Sequence, residues 1–410
     1  MSRRMAKPAL STEIKQYLTV TGNYWAFTLT DGALRMLVVL HFHDLGYSPL
    51  QIASLFLFYE IFGIITNLFG GWLGARWGLN RTMNAGLLLQ VLALAMLLVP
   101  AAALTVPWVM AAQAFSGIAK DLNKMSAKSS LKFLVADHAQ NRLYQWVALL
   151  TGSKNALKGV GFFLGGLLLS VLGFQGAVGI MAAALLLVWI ASLFLLRDDL
   201  GKAKAKPKFT ELLSKSRAVN ILSAARLFLF GARDVWFVVA LPVFLGAQLG
   251  WDYWQVGGFL AAWVIGYGFV QSLAPYVTGK RKGVVPDGRT ALHWAIPLIA
   301  VPALMAYQLG QGTAPAMVVI VGLAIFGVLF AVNSALHSYL ILSYAKEDGV
   351  SLDVGFYYMA NAMGRLLGTV LSGWIYQTQG LAACLWVSAG FLVLTTLISR
   401  ALPRHNKASV

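Results

Sequence analysis

Charge is scarce in this sequence, acids are scarcer still, and cysteine is almost missing. Only 11% of its 410 residues are Asp, Glu, Lys or Arg, whereas 59% are hydrophobic, and the mean hydropathy is +0.71. A soluble domain of this length could not hide that much apolar surface, which excludes the soluble globular classes and leaves a polytopic helical membrane protein. The single cysteine, Cys384, excludes an intrachain disulfide and any multi-thiolate metal site. No His-Glu-x-x-His, Gly-x-Ser-x-Gly or Walker phosphate loop occurs, so neither an enzyme nor a resident cofactor is expected. With 15 acids against 32 Lys and Arg, the net charge is +17. No compact basic soluble segment carries that excess, so nucleic acid is not the expected partner. Met1 to Gln16 lacks a cleavable-signal pattern and reads as a short cytoplasmic tail.

Twelve apolar spans can be placed, at roughly 17–40, 49–73, 82–101, 106–127, 143–171, 174–196, 218–244, 253–277, 291–309, 314–343, 353–376 and 380–401. Each is long enough to cross about 30 Å of hydrocarbon. The only long basic linker, Arg197 to Arg217, holds Lys202, Lys204, Lys206, Lys208 and Lys215 and divides the chain six plus six. The expected organisation is an N-terminal half (1–197), a cytoplasmic linker (198–216) and a C-terminal half (217–410). The odd-to-even connections contain no Lys or Arg, whereas twenty-four lie in the N-tail, the even-to-odd connections and the C-tail. That asymmetry puts both termini in the cytoplasm of a cell (inner) membrane protein.

The remaining eight cations sit at membrane depth: Arg35, Lys120, Lys124, Lys154, Lys158, Arg226, Arg233 and Arg365. Four acids accompany them: Asp31, Glu60, Asp121 and Asp234. Lys120, Lys124, Lys128 and Lys132 recur every fourth residue and form one stripe along a helix face. An intramembrane lysine costs about 2.5–3.5 kcal/mol on insertion scales and normally faces a cavity or a partner. Several cations around one cavity imply a small anion passing through it. Lys128 and Lys132 lie past the end of their expected span and read as a solvated helix end.

Asp31 and Arg35 share a face of the first span, and Arg233 and Asp234 sit at comparable depth in the seventh. The arginines are candidate clamps, since guanidinium matches phosphate-type oxygens bidentately; the alternative is two structural ion pairs. Lys120 and Lys124 flank Asp121 and Asn123, and Lys154, Asn155 and Lys158 make the matching set on the fifth span. Gly161 and Gly165 suit close helix packing. Asn361 and Arg365 share a face beside Tyr357 and Tyr358, and Asn333 and His337 belong to a polar tenth span. These supply neutral hydrogen bonds to a ligand or hold helices together. Arg226 either faces the cavity or snorkels to the cytoplasm. Glu60, in an apolar run, is open to two readings, a carrier of a coupling proton or the partner of a cation.

The connection Gly71-Trp-Leu-Gly-Ala-Arg-Trp-Gly78-Leu-Asn-Arg81 resembles the loop signature of the major facilitator superfamily, with Arg76, Gly78 and Arg81 as its gating residues and Ala75 where the signature has aspartate. The resemblance implies two halves that rock around a midplane site. Asn23-Tyr-Trp-Ala-Phe-Thr-Leu-Thr-Asp-Gly-Ala-Leu-Arg-Met-Leu37, Phe58-Tyr-Glu-Ile-Phe-Gly63 and the lysine stripe resemble the organoarsenical efflux permeases, the ArsJ family. That likeness implies a monomeric exporter of 1-arseno-3-phosphoglycerate. It also implies a functional partnership with the glyceraldehyde-3-phosphate dehydrogenase that makes this ester from arsenate. The alternative is an organophosphate, sugar-phosphate or phosphate carrier of the same superfamily. The residues alone specify a carrier for a small, multiply charged anion.

Overall fold

The computed structural model describes residues 12–47, 55–135, 139–196, 200–203, 215–279, 285–312 and 314–404. The N-terminal tail and most of the basic linker, with Lys204, Lys206 and Lys208, lie outside the described residues. Among those described, the regular elements are all helical. They are α1 (Thr12–Asp44), α2 (Leu57–Trp77), α3 (Leu79–Met96), α4 (Val106–Leu134), α5 (Gln140–Leu195) and α6 (Arg217–Phe237), then α7 (Ala240–Leu249), α8 (Tyr253–Thr278), α9 (Gly288–Gly310), α10 (Pro315–Tyr344) and α11 (Val350–Ser399).

Among the described residues, seven helical stretches, one of them joining α6 to α7, are long and apolar enough to cross a membrane. Their outer faces carry exposed apolar side chains, with Phe194 84% exposed, as expected of a surface solvated by lipid. α1 and α4 are equally long but more polar, because their inward faces carry the charges of the cavity described below.

Two short loops expected from the sequence, at Leu172–Gln175 and Gln377–Gln379, reduce to single glycines. Gly173 (φ 67°) and Gly380 (φ 80°) adopt a left-handed backbone that only glycine takes up readily. At both points the chain turns back on itself. Gln16 donates to the Leu195 carbonyl at 2.8 Å while the neighbouring Tyr17 packs its ring at a tilt against Trp146, so both ends of α5 meet the start of α1. In the same way Gly364 and Ser388, one on each arm of α11, both meet α6, near Gly231 and Ala232.

Glycine also sets how closely the helices approach. A Cβ on Gly161 would lie 2.8 Å from the Leu29 carbonyl, and one on Gly117 would lie 2.6 Å from the Tyr59 carbonyl. Gly161 thereby seats α5 on α1, and Gly117 seats α4 on α2. Neither carbonyl can move without its helix. Gly161→Ala and Gly117→Ala should each cost about 1–3 kcal/mol by overpacking. Thermal unfolding in detergent measures this, and wild-type melting of both variants would show that the contacts are not tight.

The end of the molecule that carries the basic connections is closed. Ser351 Oγ donates to the Gly71 carbonyl at 2.7 Å, joining α11 to α2 beside Gly355. Thr278 Oγ1 donates to Tyr144 Oη at 2.9 Å, and Tyr339 Oη donates to Gln140 Oε1 at 3.2 Å, joining α8 and α10 to α5. The α2–α3 turn is made at Gly78 (φ 98°), and the linker docks beside it through Leu79 N–H to the Leu200 carbonyl and Ala203 N–H to the Ala75 carbonyl, both 2.8 Å.

Candidate substrate cavity

A cavity of about 450 Å³ lies between the α1–α5 and α6–α11 helices and opens toward the end without basic connections. Its depth can be followed along the helices. Lys128 and Arg226 at the closed end are buried, 5% and 3% exposed, while the side chains of Arg35, Glu60 and Arg365 near the mouth are about a third exposed. Aromatic side chains, among them Phe27, Tyr59, Phe230, Trp263 and Tyr267, complete the wall.

Nine cations line this space against three acids. Arg35 Nη2 meets Glu60 Oε1 at 3.0 Å, and its guanidinium lies 5.1 Å from the rings of both Phe56 and Tyr59. Asp31, one turn before Arg35, instead accepts from Tyr59 Oη at 2.7 Å. Across the cavity, Asp234 is fully buried behind the wall and holds two arginines, one on each carboxylate oxygen. Arg233 Nε donates to its Oδ1 at 2.5 Å and Arg365 Nε to its Oδ2 at 3.1 Å. On α4, Lys124 is hydrogen-bonded to Asp121 Oδ1, and Lys120 lies 3.9 Å from Oδ2 and 3.7 Å above the Tyr59 ring. On α5, Lys154 donates to Asn155 Oδ1 at 3.2 Å, and Lys158 has no hydrogen-bond or ion-pair partner among the described residues. Such a surplus of cations in a space walled by protein attracts anions more strongly than it would in bulk water, because the local dielectric is lower.

The family model for the Major Facilitator Superfamily matches residues 18–352. The chain belongs to that superfamily. It is therefore a secondary membrane transporter that carries a small molecule across a bilayer, and it is not an enzyme. Solved structures of this superfamily agree in fold. The human organic anion transporter MFSD10 superposes with a TM-score of 0.75 at 17% identity, covering 95% of this chain and 100% of that one. The fucose:proton symporter FucP of E. coli gives 0.73 at 13%, over 96% and 100%. The proton:xylose symporter XylE gives 0.74 at 15%, over 95% and 96%. No curated protein matches the chain in sequence.

In this transporter the charged residues singled out from the sequence converge on the one cavity. Arg35, Lys120, Lys124, Lys154, Lys158, Arg233, Asn361 and Arg365 line it, with Asp31, Glu60, Asp121, Asn155 and Arg226. Arg226 does not snorkel. Its Nε donates to Asn361 Oδ1 at 2.9 Å and its Nη1 to Ser334 at 3.3 Å, which turns it inward. Besides Asp234, four others at membrane depth do not reach the lining. Asn123 donates to the Ala119 carbonyl of its own helix, and Asn333 donates to the Trp294 carbonyl at 2.7 Å, tying α10 to α9. His337 is fully buried within the packed helices. Tyr357 lies behind the wall, its ring 5.2 Å from the Arg226 guanidinium. Arg76 and Arg81 are exposed at the closed end, Arg76 against the Trp72 ring at 5.1 Å.

Lys128 corrects the sequence reading. It is not a solvated helix end: α4 continues to Leu134, and Lys128 turns into the cavity floor, where its Nζ donates to Tyr358 Oη at 2.5 Å. Lys132 is half-buried. The four-residue spacing with Lys120 and Lys124 already placed Lys128 on the cavity face, but the expected span stopped one residue short of it.

Proposed function

We propose that this transporter exports a small organic anion carrying two tetrahedral oxoanion groups, 1-arseno-3-phosphoglycerate, and so confers arsenate resistance. The observation that carries the reading is the surplus of cations in a single cavity. A phosphate and an arsenate ester together carry about three negative charges near neutral pH, and the cavity's cations outnumber its acids by more than that. The arsenic end rests on the sequence likeness to the organoarsenical permeases. Cys384, the only thiol, is away from the cavity lining, which suits an oxygen-bound pentavalent arsenic better than a thiolate-seeking trivalent one.

In this reading the chain crosses the cell (inner) membrane twelve times in two six-helix halves, 1–197 and 217–410, with both termini cytoplasmic. The dehydrogenase supplies the substrate on the cytoplasmic side. The open mouth is then the external one, and the conformation described here is the one that releases cargo. Alternating access returns the cavity to the cytoplasm by rocking the halves about it. The reading is tested by arsenate resistance of a sensitive cell expressing this chain with and without the dehydrogenase. Resistance that needs both supports it. Resistance without the dehydrogenase contradicts it. Transport of phosphate or a sugar phosphate alone points to an organophosphate carrier.

Glu60 is read as the partner of Arg35 and not as a proton site. Export of a polyanion from a cell that is negative inside is already favoured by about 2.3 kcal/mol per charge per 100 mV, so no proton is needed. Glu60→Gln should retain efflux driven by membrane potential. Vesicles with potential and pH gradient imposed separately provide the measurement. Flux that follows the pH gradient alone, and is lost in Glu60→Gln, would make Glu60 the proton carrier.

A further inference from the structure

Six of the nine cavity cations fall into two sets according to what balances their charge; of the others, Lys120 and Lys124 share Asp121. Near the mouth, Arg35 has Glu60, and Arg233 and Arg365 share Asp234. At the floor the partners are neutral. Lys128, 5% exposed, meets only the hydroxyl and ring of Tyr358 among the described residues, the ring centroid 4.8 Å from its Nζ. Arg226 and Lys154 are held by an unbroken run of amides and hydroxyls that crosses the cavity. Lys154 donates to Asn155 at 3.2 Å, Asn155 Nδ2 to Gln271 Oε1 at 2.6 Å, and Gln271 Nε2 to Ser334 Oγ at 3.1 Å. Ser334 in turn accepts from Arg226. The charges bearing most on Lys128 are Arg226, Lys154 and Lys124, all of its own sign.

A charge buried without a counter-ion is strongly unfavourable, and like charges brought together in a dry pocket repel. Here the neutral run fixes the cations in place without neutralising them. Side chains placed to hold Lys154 and Arg226 in position, with no carboxylate hydrogen-bonded to either among the described residues, suit a ligand that brings the negative charge itself. The floor also offers a guanidinium fork beside ammonium groups, which matches several oxygens of one tetrahedral group.

We propose that the cavity floor is an inner subsite for one tetrahedral oxoanion, a phosphate or the isosteric arsenate, distinct from the arginine set at the mouth. Lys128, Arg226 and Lys154 form it, with Tyr358 as the stand-in partner of Lys128 when the subsite is empty. The assignment rests on the reading above for the two-headed substrate, whose second anionic group falls to Arg35, Arg233 and Arg365. The subsite by itself recognises inorganic phosphate.

The test uses the purified full chain in lipid nanodiscs, with inorganic phosphate as the probe and thermal unfolding and equilibrium binding as readouts. Phosphate should raise the melting temperature of the wild type. Lys128→Met should melt higher than wild type without phosphate, since it removes an unbalanced buried charge, and should bind phosphate at least about tenfold more weakly. Lys128→Arg should keep binding, and Arg226→Gln should lose it as Lys128→Met does. Phosphate binding that is unchanged in both Lys128→Met and Arg226→Gln would overturn the subsite. So would a Lys128→Met protein that melts lower than wild type and still binds phosphate, because Lys128 would then be a structural tie to Tyr358. If the variants lose phosphate but cells gain no arsenate resistance, the subsite stands and the organoarsenical reading falls. If resistance is found while phosphate binding ignores Lys128 and Arg226, the subsite alone falls.

Discussion

Arg35→Ala and Arg233→Ala are each expected to reduce transport to background while the protein reaches the membrane at normal levels. The two residues face the cavity from α1 and α6, near its mouth, where a fork of N–H groups can grip two oxygens of an anion. Arg35→Ala acts twice. It removes a cation and leaves Glu60, now without its 3.0 Å partner, as a carboxylate in the path of an anion. Adding Glu60→Gln to Arg35→Ala should therefore recover part of the flux, a coupling that a double-mutant cycle measures. Lysine at either position should rescue incompletely, because an ammonium lacks the fork. Near-normal flux in both alanine variants would return these arginines to a structural role.

The second large effect is expected at Asp234. Its carboxylate is fully buried and accepts from Nε of both Arg233 and Arg365, which leaves the terminal nitrogens of each guanidinium for a ligand. Asp234→Asn keeps the shape but removes the carboxylate that holds the two guanidinium groups together. Breaking a buried ion pair in this way costs about 3–5 kcal/mol. The variant should melt well below wild type and lose transport, and high phosphate should restore part of its stability, because an anion can take the place of the carboxylate. An Asp234→Asn protein that melts and transports like wild type would show that the two arginines do not need to be held together.

Much of the fold was legible because the bilayer imposes it. Apolar runs of fixed length and lysines spaced by four required no knowledge of packing, and they located the helices and the charged face of α4. Glu60 in an apolar run left a proton or a cation partner open, and Arg35 stands 3.0 Å from it. Pairings across helices were not legible. Asp31 and Arg35 sit four apart and suggest a pair along α1, yet each reaches to α2 instead, to Tyr59 and Glu60. Nor do polar residues adjacent in sequence declare which of them faces inward. On α10, Asn333 and Ser334 are neighbours in sequence, but only Ser334 reaches the cavity and Asn333 ties α10 to α9. Lys128 was missed for a different reason: its burial depends on Tyr358, 230 residues away.

The central claim is that a multiply charged organic anion leaves the cell through this cationic cavity. Everted membrane vesicles containing the transporter, with an interior-positive potential, test it most directly. Arsenate, glyceraldehyde 3-phosphate, the nicotinamide cofactor and the dehydrogenase are supplied outside, and arsenic trapped inside is counted. The account predicts accumulation that needs the dehydrogenase, rises with the potential and is absent in Arg35→Ala. Accumulation that is the same without the dehydrogenase, or that persists in Arg35→Ala, would contradict it.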